Sequence, residues 1–258
     1  MIEDIIALAV KAGEKILETY EREATIIIKD DKSPVTEADL ASHAIIIEGL
    51  ASTGIPILSE EGELISETKR LWLVDPLDGT KDFIGKSGEF AVMIALVEDG
   101  KPTLAVVHAP ALGKTYFAEK GKGSFVRDTG GERQLQVSNH ETEGARFLAS
   151  QYHFSTAMEE IAHRIKSVVL RHGSIGLKAG GVAAGEGEYV IHLADLHPWD
   201  TAVSELLITE AGGRVTDIQG NSIEYFSNSK SKGFVGSNGV VHDDVIHAIQ
   251  EISQTSLS

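Results

Sequence analysis

The stretch Leu71-Trp72-Leu73-Val74-Asp75-Pro76-Leu77-Asp78-Gly79-Thr80 decides how the rest of this chain is interpreted. Its four leading apolar residues predict a short buried strand. Pro76 is expected to end that strand after Asp75, because proline has no N–H to donate to a sheet. Gly79 then allows a tight turn with a close approach of the backbone.

Asp75 and Asp78 lie at the end of this predicted strand, three residues apart. Two carboxylates buried together are costly unless a cation lies between them, and oxygen ligands without a thiolate suit Mg²⁺. The N–H groups of Gly79 and Thr80 could then face an anion that the metal also holds. The alternative is an ordinary Asp-Pro and Asp-Gly turn between strands, and this segment alone does not decide between the two.

Length and charge restrict the classes of protein that the chain can be. Its 258 residues can bury one large core, and we expect one compact unit over 1–258 with approximate halves 1–140 and 141–258. The formal charge of −16 argues against binding a nucleic-acid polymer, but a small phosphorylated ligand remains compatible, because bound cations can invert the local field. With no cysteine, disulfides, thiolate zinc sites and cysteine nucleophiles are excluded.

The N-terminal residues 1–4 lack the basic region and cleavage site of a signal peptide. No apolar run approaches the length of a membrane span. We therefore expect a cytoplasmic protein that does not bind membranes.

Hydrophobic periodicity predicts alternating helices and strands. Helices are expected over 2–21 and from Thr36 to about residue 50, with a strand at 25–29 between them. Three antiparallel strands are expected in the middle of the chain, at 90–97, 103–108 and 114–119. The C-terminal half continues with further strands and helices, which indicates an α+β or mixed layered fold.

Three more acidic residues occupy comparable positions at the ends of predicted elements. Asp39 can close a capping box that begins at Thr36. Glu60 follows a short predicted strand, where acids usually form a solvated loop. Asp200 lies in the first turn of a predicted helix, where a carboxylate suits the positive helix end. Each of them, taken alone, has this ordinary structural explanation.

Together these segments resemble the inositol monophosphatase-like family of metal-dependent, lithium-sensitive phosphatases. Residues 75–80 match the central signature of that family, and Trp199-Asp200 followed by 211–213 matches its second signature. Residues 33–36 with Asp39, and 59–62, match its two earlier blocks. Finer features are similar to the 3′(2′),5′-bisphosphate nucleotidase branch: Lys81-Asp82-Phe83, the segment 150–153 and the glycine-rich segment 173–178.

The resemblance implies a layered α-β-α-β-α sandwich and a role for each matched residue. Two or three Mg²⁺ ions would be bound by Glu60, Asp75, the carbonyl of Leu77, Asp78 and Asp200. Thr80, oriented near Asp39, would help to deprotonate the attacking water, and the N–H groups of Gly79 and Thr80 would hold the phosphate. The substrate would also contact Ser150, His153, Ser174 and Lys178. Dimers are frequent in the family, so a homodimer is possible.

Several alternatives remain open from the sequence. The first is a nucleotidase that removes the 3′-phosphate of adenosine 3′,5′-bisphosphate to give AMP. The second is a phosphatase of an inositol, histidinol or sugar phosphate, and the third is a non-enzymatic acidic metal-binding protein. Lys178 could be an ordinary solvated lysine at a helix start, and His153 a surface histidine. His192 and His197 are not expected to bind zinc, because neither a cysteine nor a helical i, i+4 pair supports such a site.

Overall fold

The computed structural model describes residues 1–22, 25–28, 34–63, 68–226 and 230–255. Within them the chain forms seven α-helices and fourteen strands. The helices are α1 (Ile2–Tyr20), α2 (Glu37–Ala51), α3 (Thr80–Ile84), α4 (Thr156–Arg164), α5 (Ile175–Ala183), α6 (Pro198–Glu210) and α7 (His242–Thr255). Across this part of the chain, no helix is both long enough and apolar enough to cross a bilayer.

The first nine strands lie in the N-terminal part of the chain. They are β1 (Ile26–Ile28), β2 (Pro34–Thr36), β3 (Ile57–Ser59), β4 (Arg70–Asp78), β5 (Ala91–Glu98), β6 (Lys101–Ala109), β7 (Lys114–Glu119), β8 (Gly123–Asp128) and β9 (Gly131–Gln134). The remaining strands are β10 (Arg146–Ser150), β11 (Val168–His172), β12 (Tyr189–His192), β13 (Arg214–Thr216) and β14 (Phe234–Ser237).

A seven-stranded sheet runs in the order β3-β4-β5-β6-β7-β8-β9. Strand β3 is parallel to β4, and every later neighbour is antiparallel. A second sheet of five strands has the order β11-β10-β12-β14-β13, with parallel and antiparallel pairs. Strands β1 and β2 form a separate antiparallel pair.

Helices and sheets alternate in five layers. One face of the large sheet packs against α1 and α2, where Ile16 and Ile46 meet Trp72 and Ile94. Its other face packs against α5 and α6, which also cover one face of the small sheet. Helices α4 and α7 cover the far face of the small sheet. The predicted α-β-α-β-α sandwich is therefore confirmed.

The two sheets divide near the middle of the chain. Strand β9 ends at Gln134 and β10 begins at Arg146, which is close to the proposed boundary between halves at residue 140. However, α6 from the second half packs on β4, β5 and β6 of the first, so both halves contribute to one core.

The prediction that Pro76 ends the strand is wrong. Strand β4 continues to Asp78, and its register with β5 is irregular between Asp75, which pairs with Met93, and Asp78, which pairs with Ala91. At this irregularity no hydrogen bond to β5 is required from the backbone nitrogen of Pro76, which has no N–H. The strand can therefore continue past the proline. The extended strand brings both carboxylates to the same end of the sheet.

Other elements agree with the sequence to within a few residues, but four short elements were not predicted: β2, α3, β8 and β9. Strands β8 and β9 are short and polar, and the four residues of β9 are all exposed. The strand predicted at 25–29 is present as β1, while Lys29 and the loop 30–33 lie outside the described residues.

Candidate active site

A cavity of about 440 Å³ opens where β4, α3, α5, α6 and β10 meet. Most of the residues predicted for the site line it: Glu60, Asp78, Gly79, Thr80, Ser150, His153, Ser174, Lys178 and Asp200. Three predicted residues lie behind its surface and are almost fully buried: Asp39, Asp75 and Leu77. The fold therefore brings the predicted site residues, which are distant in sequence, close together in space.

Four carboxylates of this group repel one another. Burial raises the pKa of Asp75 well above its ordinary value, and the negative charges of Glu60, Asp78 and Asp200 raise it further. Burial also raises the pKa of Asp200 well above its ordinary value, again with added repulsion from Asp78 and Glu60. A concentration of buried negative charge of this kind is stabilised by a bound cation.

Backbone N–H groups orient three of these carboxylates through one oxygen each. Leu77 donates to Asp75 Oδ1 at 2.9 Å, Gly176 to Asp78 Oδ2 at 2.9 Å, and His197 to Asp200 Oδ2 at 3.1 Å. The last bond belongs to a capping box at the start of α6, so the helix-start interpretation of Asp200 is correct as well.

The donor chemistry of the cluster fits Mg²⁺, which prefers carboxylate and carbonyl oxygens. Among the described residues, however, no group of three or more histidine, aspartate or glutamate side chains is arranged to hold a metal ion. The Oδ2 of Asp78 accepts hydrogen bonds from the Gly176 N–H and the Ser174 hydroxyl.

Asp39 caps α2 and also contacts Thr80. Its Oδ2 accepts from the Thr36 N–H at 2.8 Å and the Thr36 hydroxyl at 2.6 Å, which caps α2. The Thr80 hydroxyl lies 3.2 Å from the other oxygen, Oδ1, and 3.3 Å from the Leu77 carbonyl. Burial raises the pKa of Asp39, and the Thr36 bonds partly oppose that rise.

Lys178 is buried at 6 % exposure, so the alternative of an ordinary solvated lysine is wrong. Its ammonium donates to the carbonyls of Gly173 at 2.9 Å and Ser174 at 2.8 Å. Burial lowers the pKa of Lys178, while the nearby charges of Asp78 and Asp82 act in the opposite direction. The lysine thus places a positive charge beside the carboxylates.

The remaining predicted contacts lie across the cavity. Ser150 ends β10, and its hydroxyl accepts the His153 N–H at 3.0 Å. His153 is exposed, and its Nε2 lies 3.5 Å from the Lys81 ammonium. Burial of part of the ring lowers the pKa of His153, and the charge of Lys81 adds to the effect. Ser174 caps α5 by accepting the Leu177 N–H at 3.1 Å.

Sequence reasoning missed several residues that line the cavity. The polar ones are Lys81, Asp82, Tyr152 and His192, and the apolar ones are Pro34, Ile175, Val190, Ile191 and Leu196. Lys81 directly follows the central signature, so its position could have indicated it, whereas His192 was considered only as a zinc ligand. The apolar residues carry no such signal, because core residues have the same composition.

A model of the inositol monophosphatase family matches residues 1–254. The 3′(2′),5′-bisphosphate nucleotidase CysQ of Aggregatibacter actinomycetemcomitans is 36% identical over 256 residues, covering 93% of this chain and 92% of the relative. A fructose-1,6-bisphosphatase/inositol-1-monophosphatase of Thermotoga maritima is 35% identical over 228 residues, covering 86% and 84%. The crystal structure of CysQ from Bacteroides thetaiotaomicron superimposes with a TM-score of 0.78 at 29% identity, covering 92% of this chain and 97% of that one.

Proposed function

Because the chain belongs to the inositol monophosphatase family, we propose that it is a 3′(2′),5′-bisphosphate nucleotidase. It removes the 3′-phosphate of adenosine 3′,5′-bisphosphate and gives AMP and phosphate, as the similarity to CysQ nucleotidases supports. The observation that carries the proposal is a cavity with acidic residues such as Asp78 and Asp200 and also with basic groups such as Lys81 and Lys178. This arrangement suits a substrate with two phosphates.

Enzymes of this family depend on Mg²⁺. We propose that the ions are held by Glu60, Asp75, the Leu77 carbonyl, Asp78 and Asp200. When bound, Mg²⁺ neutralises phosphate charge and lowers the pKa of water. The carboxylates would then be paired with positive charge, which relieves the repulsion that raises the pKa values of Asp75 and Asp200.

Thr80 and Asp39 are proposed to move the proton of the attacking water. The Thr80 hydroxyl donates to Asp39 Oδ1 at 3.2 Å, so its oxygen can accept a hydrogen bond from water in the cavity. As the new oxygen–phosphorus bond forms, the water proton passes to this pair. The bond between phosphorus and the ribose 3′-oxygen breaks, and the leaving oxygen takes a proton from solvent.

We propose that the N–H groups of Gly79 and Thr80 hold the phosphate that is removed. Gly79 has a φ of +89°, and a Cβ there would lie 3.0 Å from the Glu89 carbonyl oxygen. Only glycine therefore fits this turn without strain. Both residues line the cavity, where a phosphate oxygen could accept hydrogen bonds from their N–H groups.

Lys178 is proposed to meet the second phosphate. Two of its three ammonium hydrogens are engaged by the carbonyls of Gly173 and Ser174, which leaves one donor for a substrate at the cavity. Ser150, Ser174 and His153 would contact the rest of the nucleotide.

A second candidate is an inositol monophosphatase, because the Thermotoga maritima relative that carries that name is almost as similar as the nucleotidases. The two candidates differ in the second phosphate, which an inositol monophosphate lacks. Removing a charge partner of a buried ion typically costs about 2–5 kcal/mol. A Lys178→Ala variant should therefore discriminate between them.

The test measures kcat/KM for adenosine 3′,5′-bisphosphate and for inositol 1-phosphate on the wild type, Lys178→Ala and the surface control Lys122→Ala. We expect Lys178→Ala to lower the first value by about 30-fold or more, since each 1.4 kcal/mol is about tenfold, and the second much less. Lys122 pairs with Glu119 at the surface, and its loss should change neither value. If the wild type prefers inositol 1-phosphate, or if both values fall equally, the monophosphatase candidate replaces the nucleotidase.

Finer features of the same proposal are two or three Mg²⁺ ions for each chain, a homodimer and a cytoplasmic location. Both the number of ions and the homodimer rest on resemblance to the family. The location is supported by the absence of cysteine, which suits a reducing compartment. The formal charge of −16 disfavours a nucleic-acid polymer as a partner.

A further inference from the structure

Glu89 joins the large sheet to the loop that begins α5. It lies two residues before β5, and its side chain is 27% exposed. One oxygen, Oε1, lies 3.0 Å from His172 Nδ1, and the other, Oε2, accepts the Gly173 N–H at 2.8 Å. The carboxylate thus holds two consecutive residues of another sheet's loop.

Gly173 is fixed on every side. Its N–H is bound by Glu89, and its carbonyl accepts from the Lys178 ammonium at 2.9 Å. A Cβ on Gly173 would come within 2.4 Å of the Glu89 carbonyl oxygen and 2.5 Å of Asp82 Cγ. The next residue, Ser174, has a φ of +35°, a conformation that costs about 1–3 kcal/mol and persists only where neighbours impose it.

The same loop orients Asp78. The Ser174 hydroxyl donates to Asp78 Oδ2, and the Gly176 N–H donates to that oxygen at 2.9 Å. The position of these donors depends on the backbone at Gly173 and Ser174, and Glu89 holds that backbone. A chain of direct contacts therefore connects Glu89 to the Asp78 carboxylate without Glu89 lining the main cavity.

We propose that Glu89 is a positioning residue that sets the orientation of Asp78 through Gly173 and Ser174. This inference rests on the proposed function, in which Asp78 binds Mg²⁺. Residues that orient metal ligands typically change metal affinity or activity by about 10–100-fold when they are removed. A displacement of about 1 Å at such a ligand is sufficient for an effect of that size.

Three variants separate positioning from simple structural support. Glu89→Ala removes both contacts. Glu89→Gln keeps an acceptor for the Gly173 N–H, and its NH₂ group can donate to His172 Nδ1 once the neutral ring carries its proton on Nε2. The control Glu98→Ala removes the same residue type from the far end of β5, where it pairs with Arg70 at 2.8 Å on the surface.

The experiment is a calorimetric titration of each protein with Mg²⁺ alone, together with kcat for adenosine 3′,5′-bisphosphate and the Tm without metal. We expect Glu89→Ala to weaken Mg²⁺ binding and lower kcat by about 10-fold or more, and Glu89→Gln to stay within about threefold of the wild type. Glu98→Ala should match the wild type in both measurements.

Two results would overturn the inference. Unchanged Mg²⁺ affinity in Glu89→Ala, with any fall in Tm or activity, would make Glu89 a structural tether only. Glu89→Gln could also lose as much Mg²⁺ affinity as Glu89→Ala. That result would show that the negative charge of Glu89, and not its hydrogen bonds to the loop, supports Mg²⁺ binding. If the wild type neither binds Mg²⁺ nor hydrolyses the substrate, the proposed function itself is wrong, and the inference that rests on it fails as well.

Discussion

Replacing Thr80 by alanine tests the proposed proton transfer. The Thr80 hydroxyl contacts Asp39 Oδ1 at 3.2 Å and the Leu77 carbonyl at 3.3 Å, and it lines the cavity. General acid–base groups contribute typically about 10²–10⁴-fold to a rate. At 1.36 kcal/mol for each tenfold, Thr80→Ala should raise the barrier by about 2.7–5.4 kcal/mol.

The expected effect on stability is much smaller. Thr36 already satisfies Oδ2 of Asp39 with two hydrogen bonds, and Thr80, the partner of Oδ1, lines the cavity. A hydrogen bond of a typical kind contributes about 0.5–1.5 kcal/mol, so the unfolding free energy should fall by no more than about that amount. Thr80→Ala should therefore remain folded at assay temperature.

The assay is phosphate release under saturating Mg²⁺, with Thr80→Ser as the matched control. Serine keeps the hydroxyl and loses only a methyl group, so its kcat should stay within about tenfold of the wild type. A folded Thr80→Ala protein with kcat near that of the wild type would refute the role of this hydroxyl. Equal losses in both variants would show that the methyl group, and not the hydroxyl, matters.

Three further predictions concern Asp75, inhibition by lithium and the titration of His242. Asp75→Asn should lower Mg²⁺-dependent turnover by at least about 100-fold and abolish the Mg²⁺-induced rise in Tm. The metal-free Tm should stay equal or increase, because one of four repelling charges is removed. Near-normal turnover would exclude Asp75 as a ligand. Millimolar Li⁺ should inhibit the Mg²⁺-dependent reaction in a steady-state assay, and indifference to Li⁺ would argue against close functional kinship with the lithium-sensitive members of the family. Burial lowers the pKa of His242 from 6.5 to about 4, so the unfolded chain takes up a proton before the native one does, and stability should fall by about 3 kcal/mol as the pH drops from about 6.5 to about 4. The unfolding free energy of the wild type and of His242→Gln, measured in urea at several pH values in that range, checks this prediction. The variant should lose less stability as the pH drops, and an equal loss in both proteins would contradict the prediction.

The layered fold was predictable because its pattern is local. Helical spacing in α1 and continuous apolar runs in β4 and β5 reflect burial, and burial fixes the layers. The end of β4 was misjudged, since an irregular pairing with β5 accommodates Pro76 and depends on a neighbour that lies further along the chain. Strand pairing of this kind cannot be obtained from the strand's own residues.

The acidic residues of the candidate site could be predicted from the sequence, whereas the positions of Lys178 and His192 could not. Asp39 and Asp200 each serve as helix caps, and only the tertiary structure shows that Asp200 also lines the cavity and that Asp39 contacts Thr80 behind it. The burial of Lys178 depends on carbonyls that face it from the preceding turn, which no sequence pattern specifies. His192 reaches the cavity because β12 ends there, and its ring lies near that of His153, which follows β10.

The most direct test of the account is a product analysis with purified wild-type protein and adenosine 3′,5′-bisphosphate, with and without Mg²⁺. We expect AMP and inorganic phosphate to form in equal amounts and only with Mg²⁺, at a higher kcat/KM than phosphate release from inositol 1-phosphate. Adenosine 3′-phosphate as the product would show that the enzyme removes the 5′-phosphate and not the 3′-phosphate. No hydrolysis of the bisphosphate under conditions where inositol 1-phosphate is hydrolysed would contradict the central claim.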